Sequence, residues 1–397
     1  MPDGAHLSIS QRFGREFGRR LRATAGAVLA RLPPAYRAVP DGAWLLGGSG
    51  GCAYGDNSAA FHRYLRRHHP DQAAYWVIND DSVDVGRAQA EGPVLFRGSA
   101  WTYAASRHAE VHVISHGVHD VPLCESAATA QAVKVRLGHG LTAMKKTKPR
   151  SFHTNRSANA VFDVVPVASE FERQNKRAWD IDDDALVVTG LARFDDLVEL
   201  AKTPPQSRIL YMPTWRSQSA DRQIGVVDSI VDFLREKKLI DSLAALGFSI
   251  DVYLHRNMAV SHGVVASRLS GLPIRVLPVE HDVQLSLATC AALITDYSSV
   301  CWDALYIDRP VLFYQFDLEQ YLGDRGAYFD IRNDSPGPSA FNAPDAARMV
   351  ANEISDGLRL STQARRWQGR AFRWRDAKNC ERIYDAVKGA VGNKSIV

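Results

Sequence analysis

The chain has 397 residues, 46% of them hydrophobic, with a formal net charge of +4 and five cysteines. This length supports two domains, each with its own core, and the modest charge gives no reason to expect a nucleic-acid partner. The cysteines (Cys52, Cys124, Cys290, Cys301, Cys380) form no C-x-x-C pair and are odd in number, which excludes a disulfide framework or a zinc ribbon and fits a reducing cytosol.

In chain order, the first element is a basic segment spanning residues 1–40. Residues 12–37 hold seven arginines (12, 15, 19, 20, 22, 31, 37) against one acid, Glu16. Phe13, Phe17, Leu21, Val28 and Leu32 recur at helical spacing, and Arg12, Arg15, Arg19 and Arg22 fall on the opposite side of the wheel. This pattern predicts a helix that lies on an anionic membrane surface, the contact being made through residues 7–38; the alternative is a helix packed on its own domain. Pro33-Pro34 ends it. No run of about 18 apolar residues follows, and no apolar core of a secretory signal precedes, so no membrane-spanning segment is expected.

From Trp44 short apolar runs alternate with helical patterns: "AWLLGG", "SAAFHRYLRRHH", "AAYWVIND", "PVLFRG", "SAWTYAASRHA", "EVHVISH", "AVKVRLGHG" and "DVVPVAS". A Pro-Pro link near residue 203 leads to a second series: "RILYMPTW", a helix near 227–246, "SIDVYLH", "PIRVLP", a helix near 282–289, "AALITD", "SVCWDALYI" and "PVLFY", then a helical tail from 340. Such alternation predicts an α/β protein of two Rossmann-like domains facing a cleft, residues 41–200 and 205–397.

Ligands of open parallel sheets bind beyond the carboxyl ends of strands. Asp296 ends the run "AALIT", with Ser298 and Ser299 at the start of the next helix, a pattern suited to a phosphate; the alternative is a serine cap beside an aspartate that holds a loop. "RLGHGLTAMKKTK" sets His139 between Gly138 and Gly140 with Lys145, Lys146 and Lys148 following, a candidate base near neutral pH. His255 ends the run "DVYLH". "LLGGSGGCAYGDNS" carries neither nucleotide-binding glycine fingerprint and reads as a close-approach loop. "ISHGVHD", with His116 and His119, reads as a solvated loop; it has no metal-ligand spacing, and no metal is expected. "RRWQGRAFRWRD" reads as a half-buried helix with snorkelling arginines.

Taken in order, these pieces resemble the CDP-glycerol glycerophosphotransferase family, which includes the teichoic acid primases and polymerases. The resemblance rests on "GDNSAAFHRYL", "GHGLTAMKK", "SEFERQNKRAW", "VTGLARFDDL", "ILYMPTWR", "DVYLHRN", "LITDYSSVCWDAL", "RPVLFYQFDLEQYLGDRGAYFD" and "DAKNCERIYDAV", which run from about residue 55 to 387. It implies a GT-B fold, with a CDP-polyol donor held by the C-terminal domain, a lipid-linked or glycan acceptor held by the N-terminal one, and no further cofactor. It implies catalytic roles for His139, as base toward the acceptor hydroxyl, and for His255, at the pyrophosphate. Thr214, Arg216, Asp296, Ser298, Ser299 and Arg325 match donor-side positions; Gly138, Gly140, Lys145 and Arg193 match the acceptor side. The sequence departs from the family pattern at Leu141-Thr142-Ala143, at Ala192 and at Arg256. The expected activity is transfer of glycerol phosphate, or of ribitol phosphate, with release of CMP in cell-surface polymer synthesis. The expected location is the cytoplasmic face of the membrane. A GT-B nucleotide-sugar glycosyltransferase or a non-catalytic binding module are the other readings.

Overall fold

The computed structural model describes Gly18 and residues 21–32, 38–146, 161–216, 220–255, 258–279 and 281–396. These form two compact α/β units. The first takes the described residues up to 141, then 161–196 and 373–396; the second takes 142–146 and 197–372.

The first unit is built on a parallel sheet of β1 (Trp44–Gly47), β2 (Ala74–Ile78), β3 (Val94–Phe96), β4 (Val111–Ile114) and β5 (Val133–Arg136), in the order β3-β2-β1-β4-β5. A single bridge, Val135 to Val164, continues it toward the parallel pair β6 (Val165–Val167) and β7 (Leu186–Val188). The second unit is a parallel sheet of β8 (Arg208–Met212), β9 (Ser249–Val252), β10 (Ile274–Val276), β11 (Ala292–Thr295), β12 (Val311–Tyr314) and β13 (Ser339–Ala340), in the order β10-β9-β8-β11-β12-β13. β1, β4, β5, β11 and β12 are buried along their whole length, as expected of central parallel strands covered on both faces. Strand order reverses between β1 and β4 in one sheet and between β8 and β11 in the other. At such a point the connections leave on opposite faces, and a crevice opens beyond the strand ends.

The expected strands are present. Other features differ from expectation. The helix expected near 227–246 is two helices, Ala220–Leu234 and Lys237–Leu246, broken at Arg235-Glu236. The expected tail is also divided: Ala343–Ser355 and Thr362–Ala371 stay with the second unit, whereas Asn379–Ile396 joins the first. The apolar stripe Ile383, Val387 and Val391 of that last helix completes the core around Trp44, Leu46 and Phe61. The helix is pinned at its start, where the Asp195 carboxylate accepts hydrogen bonds from the backbone N–H groups of Asn379 (3.0 Å) and Cys380 (2.7 Å) and from the Asn379 amide (2.7 Å).

Of the basic N-terminal segment, Arg12, Phe13, Arg15, Phe17, Arg19, Arg20, Pro33-Pro34 and Arg37 lie outside the described residues. Residues 21–29 are helical. Gly26 faces the helix Ala100–His108 so closely that a Cβ would stand 2.4 Å from Cβ of Tyr103. His108 Nε2 is 2.6 Å from the carbonyl of Ala30. The docked face is thus the small-residue one, and Leu21 and Val28 remain 56% and 61% exposed. Trp101, on the helix that Gly26 touches, is 47% exposed. Among the described residues no helix is long and apolar enough to cross a membrane.

Gly190, in the turn after β7, has φ +88°, and a Cβ there would lie 1.8 Å from Asn379 Oδ1. Gly190→Ala combines a left-handed backbone with overpacking against the last helix, a loss of roughly 2–4 kcal/mol. Urea unfolding of the variant measures it, and a loss below about 0.5 kcal/mol would show that this contact does not hold the helix in place.

Candidate active site

The candidate residues sit on loops at the reversal points or next to them, and each domain has its own set. In the first domain His139 follows β5. Gly138 and Gly140 on either side of it have φ +71° and +154°, conformations that side-chain-bearing residues seldom adopt, which is why glycines flank it. Asn57, after β1, grips this loop: its amide donates to the Gly138 carbonyl (2.9 Å), and its Oδ1 accepts from the backbone N–H of Arg193 (3.0 Å). Arg193 Nη1 in turn donates to Asp56 Oδ1 at 2.6 Å.

His116, after β4, stacks on His139 with ring centroids 5.0 Å apart and planes within 9°. Asp120 organises the β4 loop by accepting from the N–H groups of Ser115, His116 and Gly117, and it also holds the glycine-rich loop through Gly50 N–H at 2.7 Å. The solvated-loop reading of "ISHGVHD" is therefore corrected for His116 and Asp120. Asp56, Asn57 and His116 were not singled out from sequence. The usable signal was that "GDNS" opens the helix after β1 and "ISH" ends β4, its neighbour in the sheet, and it needs the strand order to be read.

In the second domain Pro213–Arg216 follow β8 and Asp296–Ser299 follow β11, the two strands at the reversal. Asp296, 2% exposed at its side chain, accepts from the backbone N–H and hydroxyl of Thr214, from the N–H of Tyr297 and from Arg216 Nη2 at 2.8 Å. It holds the loop. Arg216 also donates twice to Asp317, at 2.9 Å each. Burial works against its charge, but the carboxylates of Asp296 and Asp317 outweigh it and raise the guanidinium pKa further. Arg216 is thus a strut between two loops. Tyr297, beneath it, stacks on Tyr321 at 3.7 Å with planes 5° apart.

Beside this strut lies a cavity of about 370 Å³ whose lining includes Lys145, Thr214, Trp215, Gln320, Asp324 and Arg325. Besides Arg216, which is paired with Asp317, the lining carries the cations Lys145 and Arg325 and the carboxylate of Asp324; a pair of cations suits a phosphate. Lys145, expected on the acceptor side, is placed here because residues 142–146 belong to the second domain, whereas His139 belongs to the first. Ser298, Ser299 and His255 do not line this cavity. Ser298 Oγ accepts from the N–H of Val300, and the side chain of Ser299 makes no capping bond. His255 is exposed at the end of β9, its ring 6.1 Å from that of Trp215 and within 19° of parallel. Arg256 and Lys148 lie outside the described residues; Leu141, Thr142, Ala143 and Ala192 are buried. Among the described residues no group of three or more His, Cys, Asp or Glu side chains is arranged to hold a metal ion.

The family model for CDP-Glycerol:Poly(glycerophosphate) glycerophosphotransferase matches residues 44–389. The chain belongs to this family. Its similarity to the minor teichoic acid biosynthesis protein GgaB of Bacillus subtilis is 20% identity over 362 residues, 85% of this chain and 39% of that protein. It is 25% identical over 327 residues to a teichoic acid poly(glycerol phosphate) polymerase of Staphylococcus epidermidis, covering 73% of this chain and 42% of the relative. The chain therefore spans about two fifths of the length of these relatives. In three dimensions it resembles the wall teichoic acid polymerase TagF, with a TM-score of 0.71 at 18% identity over 97% of both chains, which establishes the GT-B fold. All the first-domain and second-domain loops described above fall within the segment that this glycerophosphotransferase family shares.

Replacing Arg216 by Gln would leave Asp296 and Asp317 without their cation. Breaking a buried pair in this way costs roughly 3–5 kcal/mol, read as a lower urea midpoint of the Arg216→Gln variant. A change under about 1 kcal/mol would mean that the guanidinium is not a strut.

Proposed function

We propose that this chain transfers glycerol phosphate from CDP-glycerol to a hydroxyl of a lipid-linked or glycan acceptor, releasing CMP, in the synthesis of a teichoic acid or capsule-like cell-surface polymer. The observation that carries this reading is the family match over residues 44–389, which takes in His139, His255 and the Asp296–Ser299 loop. The acceptor oxygen attacks the phosphorus that bears the glycerol, in line with the pyrophosphate bridge, and the pyrophosphate oxygen on the cytidylate side leaves with the bonding electrons. His139 takes the acceptor proton. His255, the Ser298 and Ser299 groups and the cations Lys145 and Arg325 hold the phosphates as charge moves to the departing CMP. Thr214, Arg216 and Asp296 keep the donor loops in register, while Gly138, Gly140 and Arg193 shape the acceptor side. The Trp215 indole N–H, buried and without an acceptor among the described residues, is a donor available to the substrate. CDP-ribitol is the second donor to test, since these groups address the diphosphate and not the polyol.

The protein works at the inner face of the cell membrane, attached peripherally through residues 7–38. Support comes from the exposure of Leu21 and Val28, with Arg22 and Arg31 on the same segment, and from the exposed Trp101 on the helix against which that segment docks.

Two experiments test this reading. CMP release is measured from CDP-glycerol and from CDP-ribitol with membrane extract as acceptor source. His139→Ala should lower turnover by about 10²- to 10⁴-fold with donor affinity retained; full turnover in that variant, or no CMP release from either donor together with UDP or GDP release from a UDP- or GDP-sugar, overturns the assignment. In sedimentation with anionic vesicles, the double variant Leu21→Asp/Val28→Asp should partition at least about tenfold more weakly; equal partition removes the membrane contact.

A further inference from the structure

The geometry points to Asp56 and His116 as positioning residues for the imidazole of His139: an anion that favours its protonated form, and a ring that fixes its plane. This rests on His139 being the proton acceptor, and it adds which groups make it one.

His116 has a fixed tautomer. Its Nδ1 accepts the backbone N–H of Ser49 at 3.1 Å, so that nitrogen carries no proton and the ring proton sits on Nε2. Nε2 is the atom 3.6 Å from Asp56 Oδ2. The same ring stacks on His139 with centroids 5.0 Å apart, and this restricts the plane of His139.

Asp56 is held as deliberately. It sits at φ +62°, a left-handed conformation in a residue other than glycine. Its Oδ1 is fixed there by Arg193 Nη1 at 2.6 Å and by the N–H of Asn57 at 2.8 Å. Burial opposes its ionisation, yet the Arg193 guanidinium, followed by His116 and His139, outweighs burial and keeps the carboxyl below its usual range. Among the described residues, the charged and titratable groups around the His139 loop include Asp56, Arg193, His116 and Lys176. The Lys176 ammonium lies 3.8 Å from where a Cβ on Gly138 would be, and it is paired with Glu172 at 3.2 Å. Asp56 brings negative charge toward His139 beside the His116 ring, which it faces at 3.6 Å and which stacks on His139, and Arg193 acts through Asp56.

The proton balance is simple. The acceptor O–H breaks, N–H forms on His139, the oxygen pair makes the new P–O bond, and the P–O bond to CMP breaks with its electrons going to CMP. Asp56 takes no proton; it stabilises the imidazolium left behind.

The test uses the full chain labelled with ¹³C-histidine, the His139 signal being assigned by its loss in His139→Ala. Removing a neighbouring anion destabilises the imidazolium, so in Asp56→Asn the His139 titration midpoint should fall by about one pH unit. The acidic limb of kcat/KM should move the same way. Asp56→Asn should also lower kcat by roughly 10²-fold with the KM for CDP-glycerol unchanged, and Asp56→Glu should restore the midpoint. His116→Gln, which carries the test if Asp56→Asn does not fold, should lower kcat with the same donor KM. An unmoved His139 midpoint and pH limb in Asp56→Asn, or wild-type kcat in His116→Gln, overturns the positioning role while leaving His139 as base. Full activity in His139→Ala overturns the base itself.

Discussion

Each domain ties its functional loops together with a buried arginine–carboxylate pair, and the geometry of both sites depends on these two clamps. Loops beyond the ends of parallel strands have no ladder hydrogen bonds to fix them. In the first domain Arg193, after β7, reaches Asp56, after β1. In the second, Arg216, after β8, reaches Asp296, after β11, and Asp317, after β12. Desolvation offsets most of what such pairs gain in attraction, so they add little net stability against an apolar core of equal volume. What they add is direction: planar guanidinium forks fix the approach of the carboxylates and hence of the loops that carry them.

The clamps sit where the sheets place them. In both sheets the strand order reverses beside the first strand, between β1 and β4 and between β8 and β11. The loops leaving those strands are the ones with a crevice above them. The first domain uses this place to set two imidazoles against one carboxylate. The second uses it to build a cavity of about 370 Å³ with Lys145 and Arg325 in its wall. One topology thus yields two differently lined loop clusters, one with imidazoles and a carboxylate and one with cations in its wall, because the side chains on its loops differ.

Much of the fold was legible in the sequence because parallel strands buried on both faces must be continuous apolar runs, such as "AWLLGG" and "AALITD". The strand-to-helix junction at Asp296–Ser299 was legible for a related reason: Asp-Tyr-Ser-Ser breaks the apolar run where a strand ends and a helix begins. The glycines around His139 were legible because only glycine accommodates their backbone angles. His116 was not legible. One histidine among thirteen carries no mark of its neighbours, and nothing in "ISHGVHD" tells that β4 and β5 are adjacent. The role of Arg216 was likewise hidden, since an arginine just after a strand end looks the same in sequence whether it meets a ligand or two carboxylates.

The sequence by itself determined the class of fold, the succession of strands and helices, and the positions where polar groups interrupt them, because these follow from local periodicity and backbone sterics. Only the tertiary structure decided which strands are neighbours. With that it decided that His116 stacks on His139, that Lys145 belongs with the second domain, that the small-residue face of residues 21–29 is the docked one, and that the last helix returns to the first sheet. An apolar stripe such as Ile383, Val387 and Val391 specifies that a face must be buried. It does not specify the surface that buries it, since the hydrophobic effect has no direction. That choice is made by shape and by the few directional contacts, such as Asp195 to Asn379, that only the folded chain brings within reach.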